Sequence, residues 1–304
     1  MNSNKEFVSI VMCVYNGADF LKEQIESILN QTYSNFELLI LDDRSTDSSK
    51  EIIQQYLRAD SRIKYFENDT NLGFNKNFEK GFSLSNGDLI AVSDQDDIWL
   101  KSKIEELVNQ LREHLLIYSN SALIDELGNP INRTLTNDLD HVDNPSYMSF
   151  LDGNFITGHT CLFRKALLDH ALPFPENVYS YDWWLGFVAS YLGSVKYLHK
   201  NLTLYRIHNE SVVQKLNRHH DQKAIKGRKK YLLLLNFANA SFLKPDDRLF
   251  IKEFLNKKFP VKRGFISLLS CYRFLLKHHS DIYPWYKKSH FKKLNFIRKQ
   301  CLGA

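Results

Sequence analysis

Short apolar runs alternate along most of the chain with segments in which apolar residues recur at helical spacing. In the first helical segment, Leu21, Ile25 and Ile28 fall on one face of a helix. The runs that we interpret as strands are 8–14, 36–41, 63–66, 89–92, 116–124, 155–163 and 198–205. Alternation of this kind is typical of βαβ units. It predicts an α/β fold in which a Rossmann-like, mainly parallel sheet is flanked by helices.

Local signals predict where several helices and turns lie. Ser45 is a good N-cap for the helix after the second strand, because its hydroxyl oxygen can accept a hydrogen bond from a free backbone N–H group. Phenylalanine recurs at every fourth position in 74–82, which predicts the next helix, and a further helix is expected over 99–113. A Gly-Asn-Pro turn at 128–130 opens a polar loop that is expected to extend to Pro145.

Two acidic clusters directly follow predicted strands. Asp42 and Asp43 end the second strand, and Asp94, Asp96 and Asp97 follow the fourth. Ligands of open α/β sheets bind outside the carboxyl ends of the strands, so both clusters are expected at one edge of the sheet. Three carboxylates within four positions repel one another unless a positive charge lies among them. A divalent cation, Mn²⁺ or Mg²⁺, is the expected partner. The alternative is that Asp97 caps the following helix and the other carboxylates are solvated.

Charge divides the chain into two parts. Residues 1–214 contain 18 Lys and Arg against 30 Asp and Glu, a net charge of −12, whereas residues 215–304 contain 22 against 5, a net charge of +17. The hydrophobic fraction of 43% is typical of a globular protein. We therefore expect a globular α/β domain over 1–214 and a basic, mainly helical C-terminal region over 215–304.

The basic region combines cationic clusters with apolar runs such as 232–235 and 265–269. This combination favours a peripheral contact with an anionic membrane surface. A small helical bundle whose solvated faces are basic is the alternative. Nucleic acid is not an expected partner, because the chain has no recognisable nucleic-acid-binding module and the neighbouring domain is strongly acidic.

Cysteine usage and hydropathy bear on the cellular compartment. Cys13, Cys161, Cys271 and Cys301 are scattered without the spacing of metal ligands, so neither a disulfide framework nor a zinc site is expected. No apolar run approaches the roughly 18 residues that a membrane-spanning helix needs. We expect a cytoplasmic protein that is peripheral at the inner face of the cell membrane.

Several motifs occur in a characteristic order and spacing. They are VSIVMCVYNG at 8–17, SILNQ at 27–31, DDRSTD at 42–47, NLGFNKNF at 71–78 and DQDDIW at 94–99. Together they resemble the family 2 glycosyltransferases, and the last two resemble in particular the rhamnosyltransferase-like members. The resemblance spans about residues 7–214. It implies a GT-A fold and a nucleotide-diphosphate sugar as the donor.

The same resemblance implies a nucleotide pocket. Asp42 and Asp43 match the family's aspartate pair near the base and ribose, with Val14, Tyr15 and Asn16 supplying backbone around them. Val14 stands where the family often has threonine, so a side-chain hydrogen bond is lost there. The alternative for either aspartate is to cap the helix that follows.

The family's DXD-like motif matches Asp94 to Asp96. By resemblance, Asp96 is the main metal ligand, Asp94 lies close to the donor's ribose or sugar, and His208 approaches the metal or the diphosphate. Arg206 or Lys76 could pair with phosphate oxygens. A bound cation would stabilise the charge that develops on a diphosphate leaving group.

An acidic motif opening a helix supplies the catalytic base in this family, and Tyr181-Asp182-Trp183-Trp184 matches it. Asp182 is therefore the expected base, with a pKa raised by partial desolvation. The alternative is that Asp182 caps the helix, and the two tryptophans could contact sugar faces or belong to the core. The preceding segment 153–160 resembles the family's acceptor side and contains His159, a lesser candidate than His208.

These expectations define an inverting glycosyltransferase of bacterial cell-surface polysaccharide synthesis. The subgroup resemblance implies L-rhamnose from dTDP-rhamnose as donor, and a saccharide or polyprenyl-linked acceptor. A transferase for UDP-hexoses or UDP-HexNAc sugars is the alternative within the same fold. A non-catalytic module that binds a nucleotide sugar or a membrane is the alternative of another class.

Overall fold

The computed structural model describes residues 6–137, 141–208, 222–262 and 264–302. Its strands are β1 (Val8–Val14), β2 (Phe36–Asp42), β3 (Ile63–Glu67), β4 (Leu89–Ser93), β5 (Ile98–Trp99), β6 (Leu116–Ile124), β7 (Pro130–Thr134), β8 (Cys161–Arg164) and β9 (Val195–Arg206). They form one sheet in the order β3-β2-β1-β4-β8-β6-β9-β5, with β7 paired to β6.

Helices cover the sheet and continue beyond it. They are α1 (Ala18–Leu29), α2 (Ser49–Ala59), α3 (Phe74–Leu84), α4 (Lys103–Leu111), α5 (Leu168–Ala171), α6 (Tyr181–Leu192), α7 (Gln222–Asn239), α8 (Pro245–Lys258), α9 (Phe265–Lys277), α10 (His279–Ile282) and α11 (His290–Leu302). Short 3-10 turns at 147–151 and 158–160 lie on the path between β7 and β8.

The first half of the sheet is parallel, as the sequence pattern predicts. Strands β3, β2, β1 and β4 run side by side in one direction. Val11 faces one apolar layer, whereas Ile10 and Met12 face the other. Because both faces are covered, β1, β2 and β4 are almost continuously apolar.

The second half of the sheet is mixed. β8 is antiparallel to both β4 and β6, β9 is parallel to β6, and β5 is antiparallel to β9. The sheet as a whole therefore has the predicted α/β architecture, with a parallel half that orients the strand ends and a mixed half that closes the other side.

Several local predictions were wrong. The helix expected from Trp99 begins only at Lys103, because Ile98 and Trp99 pair with β9. Ser45 is not the N-cap of α2, because that helix begins only at Ser49. The hydroxyl of Ser45 donates instead to the carboxylate of Asp42. The strand expected over 155–163 is limited to β8, and β7 lies within the expected polar loop.

The C-terminal helices pack against the α/β domain through a shared apolar core. The rings of Phe187 in α6 and Phe237 in α7 are stacked with centroids 3.9 Å apart. Leu233, Phe254 and Phe274 belong to the same buried cluster as the inner face of β1. The expected boundary at 214/215 lies outside the described residues and stays a prediction.

A buried ion cluster joins the same two regions. Asp152 follows the 3-10 turn at 147–151, and its carboxylate is buried. It accepts hydrogen bonds from Lys230 in α7, Lys258 in α8 and Tyr283 after α10. Although burial raises the pKa of Asp152, the two lysines hold it at about 2. Three separate segments of the C-terminal region are thus fixed to one carboxylate.

None of the helices in the described part of the chain has the length and apolar content that crossing a membrane requires. The basic C-terminal region is helical, as predicted, over 222–258 and 265–302 with short breaks.

Candidate active site

The carboxyl ends of β1, β2 and β4 meet at one edge of the sheet. In the strand register, Val14 lies beside Asp42 and Met12 lies beside Ser93. Because the strands are parallel and in step, the segments after Asp42 and Ser93 leave the sheet on the same side. The two acidic clusters therefore follow neighbouring strand ends, as the sequence predicts.

The loop after β1 forms one wall of this edge. Val14 is buried, and its carbonyl accepts a hydrogen bond from the Asp43 N–H group. The N–H group of Tyr15 donates to Oε1 of Gln95 at 2.8 Å, and Nε2 of Gln95 donates back to the Tyr15 carbonyl at 3.2 Å. Asn16 accepts from the Thr46 N–H group at 2.8 Å. Gln95, which the sequence reasoning did not single out, thus ties the DXD-like segment to the β1 loop.

Asp42 is a buried acceptor at the end of β2. Its Oδ1 atom accepts from both the N–H group and the hydroxyl of Ser45, at 2.9 and 2.7 Å. Its Oδ2 atom accepts from the hydroxyl of Tyr65 at 2.9 Å. Burial and this carboxylate raise the pKa of Tyr65. Asp42 does not cap α2, so the capping alternative does not describe it.

Asp43 is also buried, and it holds the turn before α3. Its carboxylate accepts from the side chain of Asn68 at 2.8 Å, and from the N–H groups of Leu72 at 2.7 Å and Gly73 at 2.8 Å. Gly73 has a φ of 77°, a conformation that suits glycine. Asp43 therefore shapes the loop beside the predicted nucleotide pocket.

The three carboxylates after β4 differ in exposure. The side chain of Asp94 is 38% exposed, that of Asp96 is 15% exposed, and that of Asp97 is fully buried. Asp94 is therefore accessible to solvent, Asp96 is mostly buried, and Asp97 belongs to the interior. Asp97 does not cap a helix, since α4 begins only at Lys103.

Asp96 and His208 are brought together although they lie far apart in the chain. Oδ2 of Asp96 is 2.8 Å from Nε2 of His208, whose ring packs against Phe20 with centroids 4.7 Å apart. The imidazole is almost fully buried. The two residues expected at the metal are therefore hydrogen-bonded to each other.

Arg206 is hydrogen-bonded to the loop that carries Asp96 and Asp97. Its backbone N–H group donates to Oδ1 of Asp97 at 3.1 Å, and its Nε donates to the Asp96 carbonyl at 2.9 Å. The remaining guanidinium nitrogens donate to the carbonyl of Glu126 and the carboxylate of Glu23. The guanidinium is buried and engaged by protein acceptors. These contacts describe a residue that positions the DXD-like loop, and a phosphate contact stays a prediction.

Lys76 lies on α3, about half exposed, and its ammonium group donates to Glu79 at 2.8 Å. This is an ion pair within one helix, of a kind that contributes little to stability. The phosphate contact expected of Lys76 stays a prediction.

A buried charge network lies behind the exposed carboxylates. Nδ1 of His159 is 3.4 Å from Oδ2 of Asp94 and 3.7 Å from Oδ2 of Asp97. Nζ of Lys103 donates to the His159 carbonyl at 2.6 Å and to the Thr203 hydroxyl at 2.8 Å. Sequence reasoning missed Lys103, because only its distant partners distinguish it from an ordinary helix lysine.

Burial acts on each charge in this network. It raises the pKa of Asp97 and lowers the pKa of Lys103. Burial also opposes charge on His159, but Asp97 and Asp94 together raise its pKa. Neither Asp97 Oδ2 nor His159 Nδ1 has a hydrogen-bond partner among the described residues. The network therefore holds one unpaired carboxylate oxygen and one unpaired ring nitrogen close to Asp94.

Asp182 lies in the first turn of α6, but it is not the N-cap, which is Ser180. Its Oδ1 atom accepts from Ser180 at 2.5 Å, from Asn154 at 3.1 Å and from the Trp183 N–H group at 2.6 Å. Its Oδ2 atom accepts from the Gly158 N–H group at 3.2 Å. Donors from two segments, 154–158 and 180–183, thus hold the carboxylate in one orientation.

The pKa of Asp182 is raised, mainly by burial and in part by the negative charge of Asp94, against the lowering effect of its hydrogen bonds. Asp94 and Asp43 also contribute to the raised pKa of Cys13, after burial. Asp94 is therefore electrostatically coupled both to the predicted base and, through Cys13, to the predicted nucleotide side.

The two tryptophans after Asp182 differ. Trp184 is buried, donates to the Ala171 carbonyl at 2.9 Å and stacks with Phe237, so it belongs to the core. Trp183 is half-buried, with Nε1 donating to the Phe150 carbonyl at 2.8 Å. Of the two, Trp183 is the one that could contact a sugar.

An α/β sheet with carboxylates beyond the carboxyl ends of its strands belongs to the class of α/β proteins that bind their ligands at this edge. Residues 9–172 match the profile of the family described as Glycosyl transferase family 2. A relative from Haemophilus influenzae, named "Uncharacterized glycosyltransferase", is 34% identical over 212 residues, covering 69% of this chain and 82% of the relative. The chain belongs to glycosyltransferase family 2, and it is a glycosyltransferase of glycan synthesis.

Another relative and two solved structures are similar. The "GalNAc(5)-diNAcBac-PP-undecaprenol beta-1,3-glucosyltransferase" of Campylobacter jejuni is 28% identical, covering 68% of this chain and 66% of the relative. TarS 1-349 of S. aureus in complex with UDP-GlcNAc has a TM-score of 0.61 at 18% identity, covering 98% of this chain and 88% of that one. The mannosyltransferase PcManGT of Pyrobaculum calidifontis in complex with GDP-Man and Mn²⁺ has a TM-score of 0.55 at 12% identity, covering 99% and 86%. These likenesses show the GT-A fold.

Proposed function

We propose that the protein transfers a sugar, with inversion, from a nucleotide-diphosphate sugar to a hydroxyl group of a saccharide or polyprenyl-linked acceptor. The observation that carries the proposal is the buried carboxylate of Asp182 at the start of α6, which four hydrogen-bond donors hold in one orientation. Asp182 is a desolvated carboxylate with a raised pKa, coupled to the exposed carboxylate of the DXD-like segment. A base on the acceptor side and a donor site on the other are what a single displacement needs.

Asp182 is assigned the role of the base. The four donors around it hold its two oxygens in place, and burial makes the carboxylate a better proton acceptor than a solvated aspartate. It takes the proton of the attacking acceptor hydroxyl as the bond to the anomeric carbon forms. The nucleoside diphosphate departs from the opposite face of that carbon.

The residues at Asp96 fit a divalent cation. A carboxylate oxygen and an imidazole nitrogen can both bind a divalent cation, and Asp96 Oδ2 and His208 Nε2 are hydrogen-bonded to each other at 2.8 Å. We therefore assign Asp96 and His208 as the protein ligands of Mn²⁺ or Mg²⁺. When bound, the cation would stabilise the charge that develops on the diphosphate. Asp94, next to it, is assigned to the donor's ribose or sugar.

A second group of possible metal ligands lies next to Asp96 and His208. One atom each from Asp94, Asp97 and His159 lies within 4.8 Å of the others. Two of these residues are fully buried, and Lys103 is close enough for its charge to act on Asp97 and His159. A cation there would face the Lys103 ammonium, so we favour the site at Asp96 and His208. Metal binding by variants of His208 and His159 distinguishes the two sets.

The nucleotide is assigned to the cleft beside the β1 loop. Val14, Tyr15 and Asn16 line it with backbone groups, and Tyr15 is half exposed there. Asp42 and Asp43 are assigned to the base and ribose side, where they also hold the surrounding loops. Arg206 or Lys76 is assigned to the phosphates, because their cationic groups can pair with phosphate oxygens.

The donor sugar is proposed to be L-rhamnose, supplied as dTDP-rhamnose. This choice rests on the resemblance at residues 71–78 and 94–99. UDP-hexoses and UDP-HexNAc sugars are the alternatives, and the UDP-GlcNAc and GDP-Man complexes of the two structural neighbours illustrate that the fold accommodates different donors. Incubation with Mn²⁺ and a panel of nucleotide sugars, read out as released nucleoside diphosphate, identifies the donor.

A lipid-linked acceptor agrees with the name of the Campylobacter jejuni relative, because that name includes the words PP-undecaprenol. The proposed place of action is the inner face of the bacterial cell membrane, reached through the basic C-terminal region. A non-catalytic module would bind a donor without releasing nucleoside diphosphate. The same donor panel, run beside a binding measurement, separates a transferase from such a module.

A further inference from the structure

Three large apolar side chains project into solvent around the start of α9. Val261 lies in the connection after α8, and Phe265 and Ile266 are the first two residues of α9. Their exposed fractions are 103%, 81% and 83%. The opposite side of α9 packs into the core through residues that include Cys271, Phe274 and Leu275. The helix therefore has both an inner and an outer apolar surface, and among residues 6–137, 141–208, 222–262 and 264–302 the chain covers the inner one alone.

The outer surface differs from scattered exposed hydrophobic residues, because its members are clustered within six positions of the chain. Leu269, one turn further along α9, is also exposed and extends the surface along the groove between α8 and α9. We call Val261, Phe265, Ile266 and Leu269 the apolar edge.

Cationic side chains border the apolar edge. Lys257 and Lys262 line the groove near Ile266, and Arg273 and Lys277 line its continuation along α9. The carboxylate that lines the groove is Glu253, which lies 4.0 Å from Lys257. Lys258 is buried against Asp152 and does not contribute. Apolar residues at the centre with cations around them form a surface that is complementary to an anionic amphiphile.

We propose that the apolar edge inserts into the interfacial region of a bilayer that contains anionic phospholipid. Phe265, Ile266 and Val261 enter the boundary between headgroups and acyl chains, and the bordering cations contact lipid phosphates. A second copy of this chain is a poorer occupant, because it would place these cations against one another. The proposal deepens the membrane contact of the proposed function and gives it a location.

Co-sedimentation of the full chain with vesicles tests the proposal. We expect binding to vesicles of mixed phosphatidylcholine and phosphatidylglycerol, and little binding to phosphatidylcholine alone. The double variant Phe265→Ser/Ile266→Ser should weaken the partition coefficient by about tenfold or more, since it removes the inserting groups. Lys262→Gln and Arg273→Gln should each weaken it by about fivefold and reduce its sensitivity to salt.

Matched controls use exposed residues elsewhere. Leu127→Ser removes an apolar side chain of similar exposure from the turn before β7, and Lys101→Gln removes an exposed cation from the α/β domain. Both should bind vesicles as the wild type does. Circular dichroism checks that each variant is folded. If Phe265→Ser/Ile266→Ser does not fold, the vesicle binding of Lys262→Gln and Arg273→Gln still tests the proposal.

Two results would overturn the proposal. One is wild-type binding that ignores anionic lipid, or that survives in Phe265→Ser/Ile266→Ser. The other is the absence of vesicle binding together with a dimer that the same double variant dissociates, which would assign the edge to self-association. Failure of the transferase mechanism is distinguishable, because Asp182→Asn should abolish turnover while leaving vesicle binding intact.

Discussion

The Oδ2 atom of Asp96 lies 2.8 Å from Nε2 of His208, although 112 residues separate the two in the chain. Arg206, two residues before His208, binds the Asp96 carbonyl and so brings the end of β9 to the loop after β4. The pairing places an imidazole nitrogen beside a carboxylate oxygen at the acidic edge of the sheet.

His208→Ala should weaken Mn²⁺ binding by at least roughly tenfold, since loss even of an outer-shell partner costs that much at many metal sites. Isothermal titration of the metal in the presence of a nucleoside diphosphate measures the change. His159→Gln is the comparison, and we expect a smaller effect from it. The reverse order would assign the cation to Asp94, Asp97 and His159.

The pH profile of sugar transfer should show the protonation of the Asp182 carboxylate. A base must be deprotonated, and the pKa of Asp182 is raised by burial and by Asp94. The turnover number should therefore fall as the pH is lowered through a value above the ordinary carboxyl range of about 4. Asp94→Asn should move this limb to lower pH, because it removes a negative charge. An acid limb that stays in place in Asp94→Asn would contradict the electrostatic coupling of the two residues.

Gly158→Ala should impair transfer while leaving the fold intact. A Cβ atom at Gly158 would lie 1.9 Å from the hydroxyl oxygen of Tyr181, so the backbone that donates to Asp182 must shift. Misplacement of a catalytic group by about 1 Å can cost on the order of 100-fold in rate. Gly227→Ala in α7 is the control, because a Cβ atom there meets no atom within 4 Å. Equal activities of the two variants would contradict the positioning role of Gly158.

Asp152→Ala should lower the free energy of unfolding by about 3–5 kcal/mol, because it leaves Lys230 and Lys258 buried without their counter-charge. Urea denaturation measures the loss, with Asp246→Ala, an exposed residue in the first turn of α8, as the control. A loss no larger than that of the control would show that the cluster contributes little.

The same cluster predicts a pH dependence of stability. The folded-state pKa of Asp152 is about 2, below the ordinary value of 3.8, so its contribution is present above pH 4 and is lost as the pH falls towards 2. Denaturation midpoints of the wild type and Asp152→Ala should therefore converge over this interval. Parallel curves would indicate that the carboxylate is not responsible.

The sequence predicts the parallel half of the fold because its determinants are local. β1, β2 and β4 are continuous apolar runs, and α1 and α3 carry a regular apolar face. The two-residue strand β5 has no such signal, since it exists only through pairing with β9 about a hundred positions later. Ser45 is the opposite case, because its local sequence predicts a helix cap but its hydroxyl is hydrogen-bonded to Asp42.

Some residues of the candidate site could be predicted from local motifs, and others could not. Asp94, Asp96 and Asp182 could be chosen from motifs, because each belongs to a short run of residues that the family shares, and their roles stay predictions. Lys103 could not be chosen, because its burial depends on the His159 carbonyl and Thr203 rather than on its neighbours in the chain. Gln95 lies inside the DXD-like motif, yet its contact with Tyr15 becomes visible only when the two loops meet.

The most direct test of the central claim is release of nucleoside diphosphate from a nucleotide-sugar panel in the presence of Mn²⁺, measured for the wild type and Asp182→Asn. We predict turnover by the wild type with at least one donor, and a loss of about 100- to 10,000-fold in Asp182→Asn with donor binding retained. Absence of release with every donor, or undiminished release by Asp182→Asn, would contradict the proposed mechanism.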